Sequence, residues 1–112
     1  MEIYTDGGED KYCFVIPEKN VVKIFEKKGI TNNEAEYLAV IEALKHVEQG
    51  SIVKILTDSK LVASQLKMEW HIKEERLKLL FKEVFDIIQK KRLNFEIEWI
   101  PRNRNKAGKV LG

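Results

Sequence analysis

The amino-acid sequence is poor in cysteine, histidine and proline, and each shortage excludes a class of protein. The single cysteine, Cys13, excludes an internal disulfide framework. With only His46 and His71 beside it, a structural zinc site built from cysteine and histidine is also excluded. Two prolines and six glycines among 112 residues, of which 44% are hydrophobic, are not the composition of a disordered chain. No apolar run approaches the roughly 20 residues that cross a bilayer, so no membrane partner is expected.

Length and charge narrow the class further. A chain of 112 residues predicts one domain that spans 1–112. The first residues lack a basic and then apolar signal segment, so we expect a cytoplasmic protein, and no obligate protein partner is evident. The net charge is only +2, but segment 89–112 carries seven basic residues against two acidic ones. This excess indicates either a phosphate-facing end or an ordinary lysine-rich surface, and composition leaves both interpretations open.

Hydrophobic periodicity predicts the element order βββαβααβ. Alternating and β-branched apolar segments predict strands at 2–6, 11–17, 20–27, 51–57 and 94–100. Capping residues and apolar stripes predict helices at 34–49, 59–67 and 73–91. The crossover connections of the second half place strands 4 and 5 parallel to strand 1, in a mixed five-stranded α/β sheet with helices on its faces. Because strand 4 is mostly apolar, we expect it to be covered on both faces and to lie centrally in the sheet.

Two of the predicted strands end in an aspartate. Strand 1 ends at Asp6, and strand 4 leads into Asp58. Neighbouring strands lie about 4.8 Å apart, so the two carboxylates would converge and would need a cation or a shared proton. Taken alone, each aspartate is better explained as a turn or helix-capping residue. A third acid is therefore needed to decide between these interpretations.

The third acid is Glu36. On a helical wheel it falls within the core-facing arc of the first helix, whereas Glu34 and Glu42 fall outside that arc. An ionised carboxylate on such a face is unfavourable unless it is paired or coordinated, although a side chain in the first turn can also reach solvent. Together with Asp6 and Asp58, Glu36 forms an oxygen-only set, which suits Mg²⁺ or Mn²⁺ better than zinc.

Four short strings follow one another on a predicted strand, helix, strand and loop. They are Ile3-Tyr4-Thr5-Asp6-Gly7-Gly8, Thr31-Asn32-Asn33-Glu34-Ala35-Glu36-Tyr37, Leu56-Thr57-Asp58-Ser59, and Trp99-Ile100-Pro101-Arg102 with Asn105. In this order they resemble type I ribonuclease H, particularly its short archaeal and bacterial forms. The resemblance implies a ribonuclease H-like fold and an endonuclease that uses two metal ions to hydrolyse the RNA strand of RNA–DNA hybrids. It matches Asp6, Glu36 and Asp58 to three of the family's four catalytic carboxylates.

The resemblance and the charge pattern also predict contacts with nucleic acid, with an RNA–DNA hybrid as the expected partner. The family pattern matches Asn32 and Asn33 to residues that read the minor groove of the hybrid, and Thr31 to a phosphate contact. Three basic residues are candidate phosphate contacts because of their charge: Lys60, Arg102 and Arg104. Three further residues of the same strings complete the predicted nucleic-acid-binding set: Gly7, Ser59 and Asn105.

One position departs from the family pattern. The family places its fourth acid in an Ala-Asp or Cys-Asp pair after the asparagine matched by Asn105, and Gly108 stands there. A glycine side chain cannot bind metal, so one metal would lack a ligand unless Glu98 or the C-terminal carboxylate replaces it. We therefore expect low or Mn²⁺-favouring activity. The alternative is a catalytically weak or inactive nucleic-acid-binding module.

The aromatic residues near these strings carry no specific binding signal. Trp70 and Trp99 adjoin apolar runs, so we expect core or partly buried packing rather than stacking on bases. Cys13 lies within an apolar strand and is expected to be a small buried residue.

Overall fold

The protein folds as a five-stranded sheet with helices, and the computed structural model describes its residues 1–111. The strands are β1 (Glu2–Gly8), β2 (Lys11–Ile16), β3 (Val21–Glu26), β4 (Ile52–Thr57) and β5 (Asn94–Trp99). The helices are α1 (Asn32–His46), α2 (Lys60–Leu66), α3 (Glu75–Lys91) and α4 (Gly108–Leu111), and 3₁₀ turns cover Pro17–Lys19 and Arg102–Arg104. The predicted order βββαβααβ is confirmed, with the short α4 added after it. None of the described helices has both the length and the apolarity that a membrane span needs.

The five strands form one mixed sheet in the order β3-β2-β1-β4-β5. Strand β1 is antiparallel to β2 and parallel to β4, and β4 is parallel to β5. The predicted mixed sheet is confirmed. Thr5 of β1 pairs with Thr57 of β4, so the next residues, Asp6 and Asp58, follow at the same edge of the sheet.

The main core lies between the sheet and helices α1 and α3. Its largest fully buried side chains come from both layers: Tyr37, Ile41 and Leu44 in α1, Leu77 and Val84 in α3, and Ile3, Phe14, Ile16 and Ile55 in the strands. Burial of each large apolar side chain contributes about 1.5–3 kcal/mol. This packing fixes the position of α1 relative to β1 and β4.

Both ends of α1 are capped by side chains. At its start, the Thr31 hydroxyl accepts a hydrogen bond from the Glu34 backbone N–H, and the Glu34 carboxylate accepts one from the Thr31 backbone N–H, both at 3.1 Å. At its end, the Lys91 ammonium of α3 donates hydrogen bonds to three backbone oxygens of the last turn. Lys91 therefore stabilises a helix end, so the basic segment is not uniformly a phosphate-facing surface.

The first turn of α1 lies directly against the backbone of β1 at Gly7. A β-carbon added to Gly7 would lie 2.4 Å from both the Ala35 carbonyl carbon and the Glu36 nitrogen. Both atoms belong to the backbone, so a larger residue fits only if α1 moves. Gly7, which was predicted as a nucleic-acid contact, thus has a packing role that brings Glu36 close to β1.

Two predictions about burial differ in part from the structure. Strand β4 is not covered on both faces, since Ile52 is 68% exposed and Lys54 forms a 3.1 Å ion pair with Glu98. β4 is nevertheless an inner strand, since it pairs with β1 on one side and with β5 on the other. Trp70 and Trp99 are 51% and 39% exposed, so neither is a core residue and both are at most partly buried. Trp70 lies in the connection between α2 and α3, and Trp99 is the last residue of an edge strand.

Candidate functional site

Three acidic side chains converge at the edge of the sheet that β1 and β4 share. Asp6 lies in β1, Asp58 follows β4, and Glu36 comes from the start of α1. One carboxylate oxygen of each lies within 4.8 Å of the other two. Ligands of Mg²⁺ at about 2.1 Å are separated by no more than about 4.2 Å, so a small inward shift would bring all three to one ion. The predicted convergence of these carboxylates is found.

Two oxygen atoms of the cluster are buried without a hydrogen-bond partner: Asp6 Oδ1 and Glu36 Oε1. Asp6 is only 2% exposed. Buried polar atoms are normally paired, and a bound cation is one way to satisfy a carboxylate. The donors are all oxygens, which hard divalent ions prefer. The residues present therefore fit a metal ion held by Asp6, Glu36 and Asp58.

Burial and mutual repulsion raise the pKa of two of these carboxyl groups. The pKa of Glu36 rises from 4.5 to about 9, mainly through desolvation and secondly through the charges of Asp6 and Asp58. The pKa of Asp6 rises from 3.8 to about 6, again through desolvation first and the charge of Asp58 second, while Arg102 lowers it. Desolvation thus exceeds charge crowding as the cause of both increases in pKa.

These pKa values predict that the metal-free protein becomes less stable as pH rises. The unfolded chain releases the protons of both groups near pH 4, whereas the folded state keeps the proton of Asp6 to about pH 6 and that of Glu36 to about pH 9. The folded state thus binds more protons, and the free energy of unfolding falls with rising pH. Melting in EDTA should occur several degrees lower at pH 8 than at pH 5, and Mn²⁺ should raise the melting temperature more at pH 8.

The Glu36→Gln variant is the matched test of this pH dependence. An amide keeps the size of the side chain and removes the group with the larger increase in pKa. In EDTA at pH 8 the variant should therefore melt above the wild type and should lose most of the pH dependence. Equal melting temperatures of the wild type at pH 5 and pH 8 would contradict the desolvation of Glu36.

A basic side chain also enters the cluster. Arg102 Nη1 donates a hydrogen bond to Asp58 Oδ2 at 3.2 Å and lies 3.6 Å from Asp6 Oδ1. The Arg102 side chain is 65% exposed, against 3% for Asp6 and 9% for Asp58. The residue predicted as a phosphate contact thus forms ion pairs with two of the carboxylates and lies on the solvent side of the cluster.

Trp99 and Lys60 lie beside Asp58. The Trp99 indole N–H donates a hydrogen bond to the Asp58 backbone oxygen at 3.1 Å, and Lys60 Nζ lies 4.9 Å from the centre of the Trp99 ring. Ser59 caps α2, since its hydroxyl accepts a hydrogen bond from the Val62 backbone N–H at 3.1 Å. Sequence reasoning missed Trp99 as a site residue. Its place directly before Ile100-Pro101-Arg102 is the one signal that could have found it.

The predicted nucleic-acid residues at the start of α1 are accessible. Asn32 is exposed and Asn33 is half-buried in the first turn. Thr31 is also exposed, although its side-chain oxygen already accepts the capping hydrogen bond. Arg104 is exposed in the 3₁₀ turn that follows β5. All four side chains are therefore accessible enough to contact a polyanion.

Asn105 does not fit the predicted contact with nucleic acid. It is fully buried, and its side-chain amide donates a hydrogen bond to the Thr5 backbone oxygen at 3.0 Å. Its side-chain oxygen accepts one from the Ala107 backbone N–H, also at 3.0 Å. With both ends of the amide engaged inside the fold, Asn105 instead holds the C-terminal loop against β1.

Gly108 faces the carboxylate cluster. A β-carbon added there would lie 3.7 Å from Asp6 Oδ2 and 3.8 Å from Arg102 Nη1, which are ordinary van der Waals distances. A side chain at this position would therefore lie beside Asp6 and Arg102. Of the two substitutes considered, Glu98 pairs with Lys54, and the carboxylate of Gly112 lies outside the described residues.

The sequence matches a known family over most of its length. A family model described as reverse transcriptase-like matches residues 14–111. A ribonuclease H of Hahella chejuensis is 37% identical over 78 residues, which cover 62% of this chain and 52% of that protein. The chain spans about half the length of the curated ribonuclease H relatives it matches.

Solved structures match nearly the whole chain. LC11-RNase H1, determined in complex with an RNA/DNA hybrid, gives a TM-score of 0.77 at 26% identity and covers 99% of both chains. The N-terminal RNase H domain of Rv2228c from Mycobacterium tuberculosis gives a TM-score of 0.79 at 26% identity, covering 99% of this chain and 88% of that chain. The mixed sheet and its helices are thus those of a ribonuclease H-like fold.

Proposed function

The chain belongs to the reverse transcriptase-like family, as a ribonuclease H family member, and on this premise we propose that it hydrolyses the RNA strand of RNA–DNA hybrids with divalent metal ions. The observation that carries the proposal is the convergence of Asp6, Glu36 and Asp58, two of whose oxygens are buried without a hydrogen-bond partner. The hybrid bound to LC11-RNase H1 supports the same substrate for this chain.

Asp6, Glu36 and Asp58 would hold the metal, and the all-oxygen donor set favours Mg²⁺ or Mn²⁺. When bound, such ions activate water and stabilise the leaving oxygen in hydrolysis of a phosphodiester. Metal binding must displace the proton that Glu36 retains at neutral pH. The Trp99 indole holds the backbone of Asp58 and so keeps its carboxylate beside Asp6. The three acids are thus already positioned to bind a cation, and their burial and mutual repulsion are unfavourable when no cation is bound.

The hybrid would contact residues near the same edge of the sheet. The amides of Asn32 and Asn33 can donate to and accept from bases and 2′-hydroxyls, and the 2′-hydroxyl distinguishes RNA from DNA. The N-terminus of α1 adds unpaired backbone N–H groups and a partial positive charge. Lys60 and Arg104 would bind phosphates, so binding should weaken as salt concentration rises.

The direct test is incubation of the purified protein with an end-labelled RNA–DNA hybrid in Mg²⁺, in Mn²⁺ and in EDTA. We expect cleavage of the RNA strand with metal, none in EDTA, and little cleavage of single-stranded RNA or double-stranded DNA. Cleavage of the DNA strand, or equal cleavage in EDTA, would contradict the proposal. Binding of the hybrid without cleavage in either metal would favour a second candidate function.

That second candidate is a nucleic-acid-binding module with little or no catalysis, and Gly108 is the observation that favours it. The added β-carbon would face Asp6 and Arg102, so the cluster lacks an acid where the family pattern places one. An ion on this side would be held by fewer protein oxygens. Such a site favours Mn²⁺, which tolerates less regular coordination than Mg²⁺.

Gly108→Asp should therefore raise Mg²⁺-dependent cleavage about tenfold or more, because a carboxylate at this position adds a ligand beside Asp6. Gly108 is not among the glycines with positive φ, and its β-carbon has room, so the variant should fold. Initial rates with saturating hybrid measure the effect. Gly108→Asn has the same size without the charge and should not raise the rate. Efficient wild-type cleavage in Mg²⁺, unchanged in a folded Gly108→Asp variant, would show that position 108 is not the fourth-ligand position.

A further inference from the structure

The cluster of acids already contains a positive charge supplied by the chain itself. Arg102 Nη1 lies 3.2 Å from Asp58 Oδ2 and 3.6 Å from Asp6 Oδ1. Among residues 1–111, Arg102 is the only basic residue that forms an ion pair with any of the three clustered acids. An arginine side chain is a cation, so the cluster includes a positive charge before any metal binds.

The guanidinium forms ion pairs with two of the three clustered acids. It contacts Asp6 and Asp58, whereas Glu36 Oε1 has no hydrogen-bond partner in the described structure. Arg102 also lies beside Gly108, where an added β-carbon would lie 3.8 Å from its Nη1. A carboxylate at 108 would give this guanidinium a partner of its own. With glycine there, Arg102 pairs with the proposed metal ligands instead.

We propose that Arg102 is a built-in counter-ion that competes with divalent metal for Asp6 and Asp58. The proposal rests on the proposed metal site, and it assigns Arg102 a role that a phosphate contact would not have. In the metal-free protein the guanidinium offsets part of the negative charge of the cluster. A divalent ion that takes oxygens from both aspartates must displace it, and the 65% exposed side chain has solvent into which to turn.

The size of the competition follows from Coulomb's law. A single and a double positive charge about 5 Å apart in water repel each other enough to change an affinity roughly tenfold. Loss of Arg102 should therefore strengthen metal binding, and it should also remove the only ion-pair partner of Asp6 and Asp58 in the described chain. The first effect raises the affinity for metal, and the second lowers the stability of the metal-free protein. A purely structural role for Arg102 would produce only the loss of stability.

The test is calorimetric titration of Mn²⁺ into EDTA-stripped and dialysed protein at pH 7, with melting temperatures measured before and after. Arg102→Gln should bind Mn²⁺ about tenfold more tightly than the wild type while melting at a lower temperature in EDTA. Arg102→Lys keeps the charge and should restore an affinity close to that of the wild type. Arg104→Gln removes the same charge two residues away in the same 3₁₀ turn and should leave Mn²⁺ affinity unchanged within about twofold.

Equal or weaker Mn²⁺ binding by Arg102→Gln would overturn the competition, and so would an equal gain in Arg104→Gln. If neither the wild type nor Arg102→Gln binds Mn²⁺, both this proposal and the proposed metal dependence fail. If Arg102→Gln binds more tightly but no protein cleaves the hybrid, the counter-ion role stands and only the proposed catalytic function fails. Arg102 is mostly exposed, so both variants should fold. If Arg102→Gln is nevertheless unfolded in EDTA, Arg102→Lys is compared with the wild type instead. Tenfold tighter Mn²⁺ binding by Arg102→Lys than by the wild type would overturn the proposal.

Discussion

Asp58→Asn should lower metal-dependent cleavage of the hybrid roughly a hundredfold or more. Asparagine keeps the shape of the side chain but removes a charged oxygen from the set that converges with Asp6 and Glu36. Hybrid binding should persist and stay sensitive to salt, because the basic residues proposed to contact phosphates are unchanged. Initial cleavage rates, with hybrid affinity measured at two salt concentrations, separate the two effects.

The same variant should not be destabilised in EDTA. The charge of Asp58 contributes to the raised pKa of both Asp6 and Glu36, so its removal relieves repulsion in the metal-free protein. The ion pair that it loses has an exposed partner, Arg102, and such pairs contribute at most about 1 kcal/mol. An unchanged or higher melting temperature would therefore assign the lost cleavage to the site rather than to unfolding.

Asp86→Asn is the matched control for this experiment. Asp86 pairs with Lys82 on an exposed face of α3, at 3.2 Å, and has no part in the carboxylate cluster. It removes the same charge and should cleave at the rate of the wild type. Unchanged cleavage in Asp58→Asn would remove Asp58 from the mechanism.

Gly7→Ala should cause a large loss of stability for a single added methyl group, about 2 kcal/mol or more in the free energy of unfolding. The new β-carbon would lie 2.4 Å from backbone atoms of Ala35 and Glu36, so α1 must move away from β1. A loss of about 2 kcal/mol lowers the melting temperature by roughly 10 °C in a domain of this size. Because the displaced turn carries Glu36, Mn²⁺ affinity should fall as well.

Gly8→Ala is the matched control, since a β-carbon at Gly8 meets nothing within 4 Å. This variant should stay within about 0.5 kcal/mol of the wild type. Denaturant unfolding and Mn²⁺ titration of the two variants measure both effects. If Gly7→Ala and Gly8→Ala unfold alike, α1 does not approach β1 as closely as the structure has it.

The order of the elements and the meeting of Asp6 with Asp58 could be predicted because both depend on local patterns. Alternating apolar and polar residues indicate strands, and capping residues indicate helix starts. Neighbouring parallel strands have their carboxyl ends on the same side of the sheet. Glu36 could be placed on the correct helix face from its spacing alone. The degree of exposure of Trp99 could not be predicted, because apolar neighbours in sequence do not reveal that a strand lies at the edge of a sheet.

Other features of the site depend on contacts between segments that are far apart in the chain. Asn105 matches a family position, but only the folded loop shows that both ends of its amide are engaged with β1 and Ala107. The close approach of α1 to the backbone of Gly7 likewise depends on how the apolar face of α1 packs on the sheet. Arg102 is a basic residue in a basic segment, and nothing in its neighbours predicts ion pairs with Asp6 and Asp58.

The identities of the three acids and the strands and helix that carry them follow from composition, spacing and pattern, since these act over a few residues. The charge balance of the site is a property of the tertiary structure alone. It depends on the loop that follows β5, because this loop brings Arg102 and Gly108 next to Asp6. Desolvation also arises only there, because it takes the sheet, α1 and the C-terminal loop together to exclude water from Asp6 and raise its pKa.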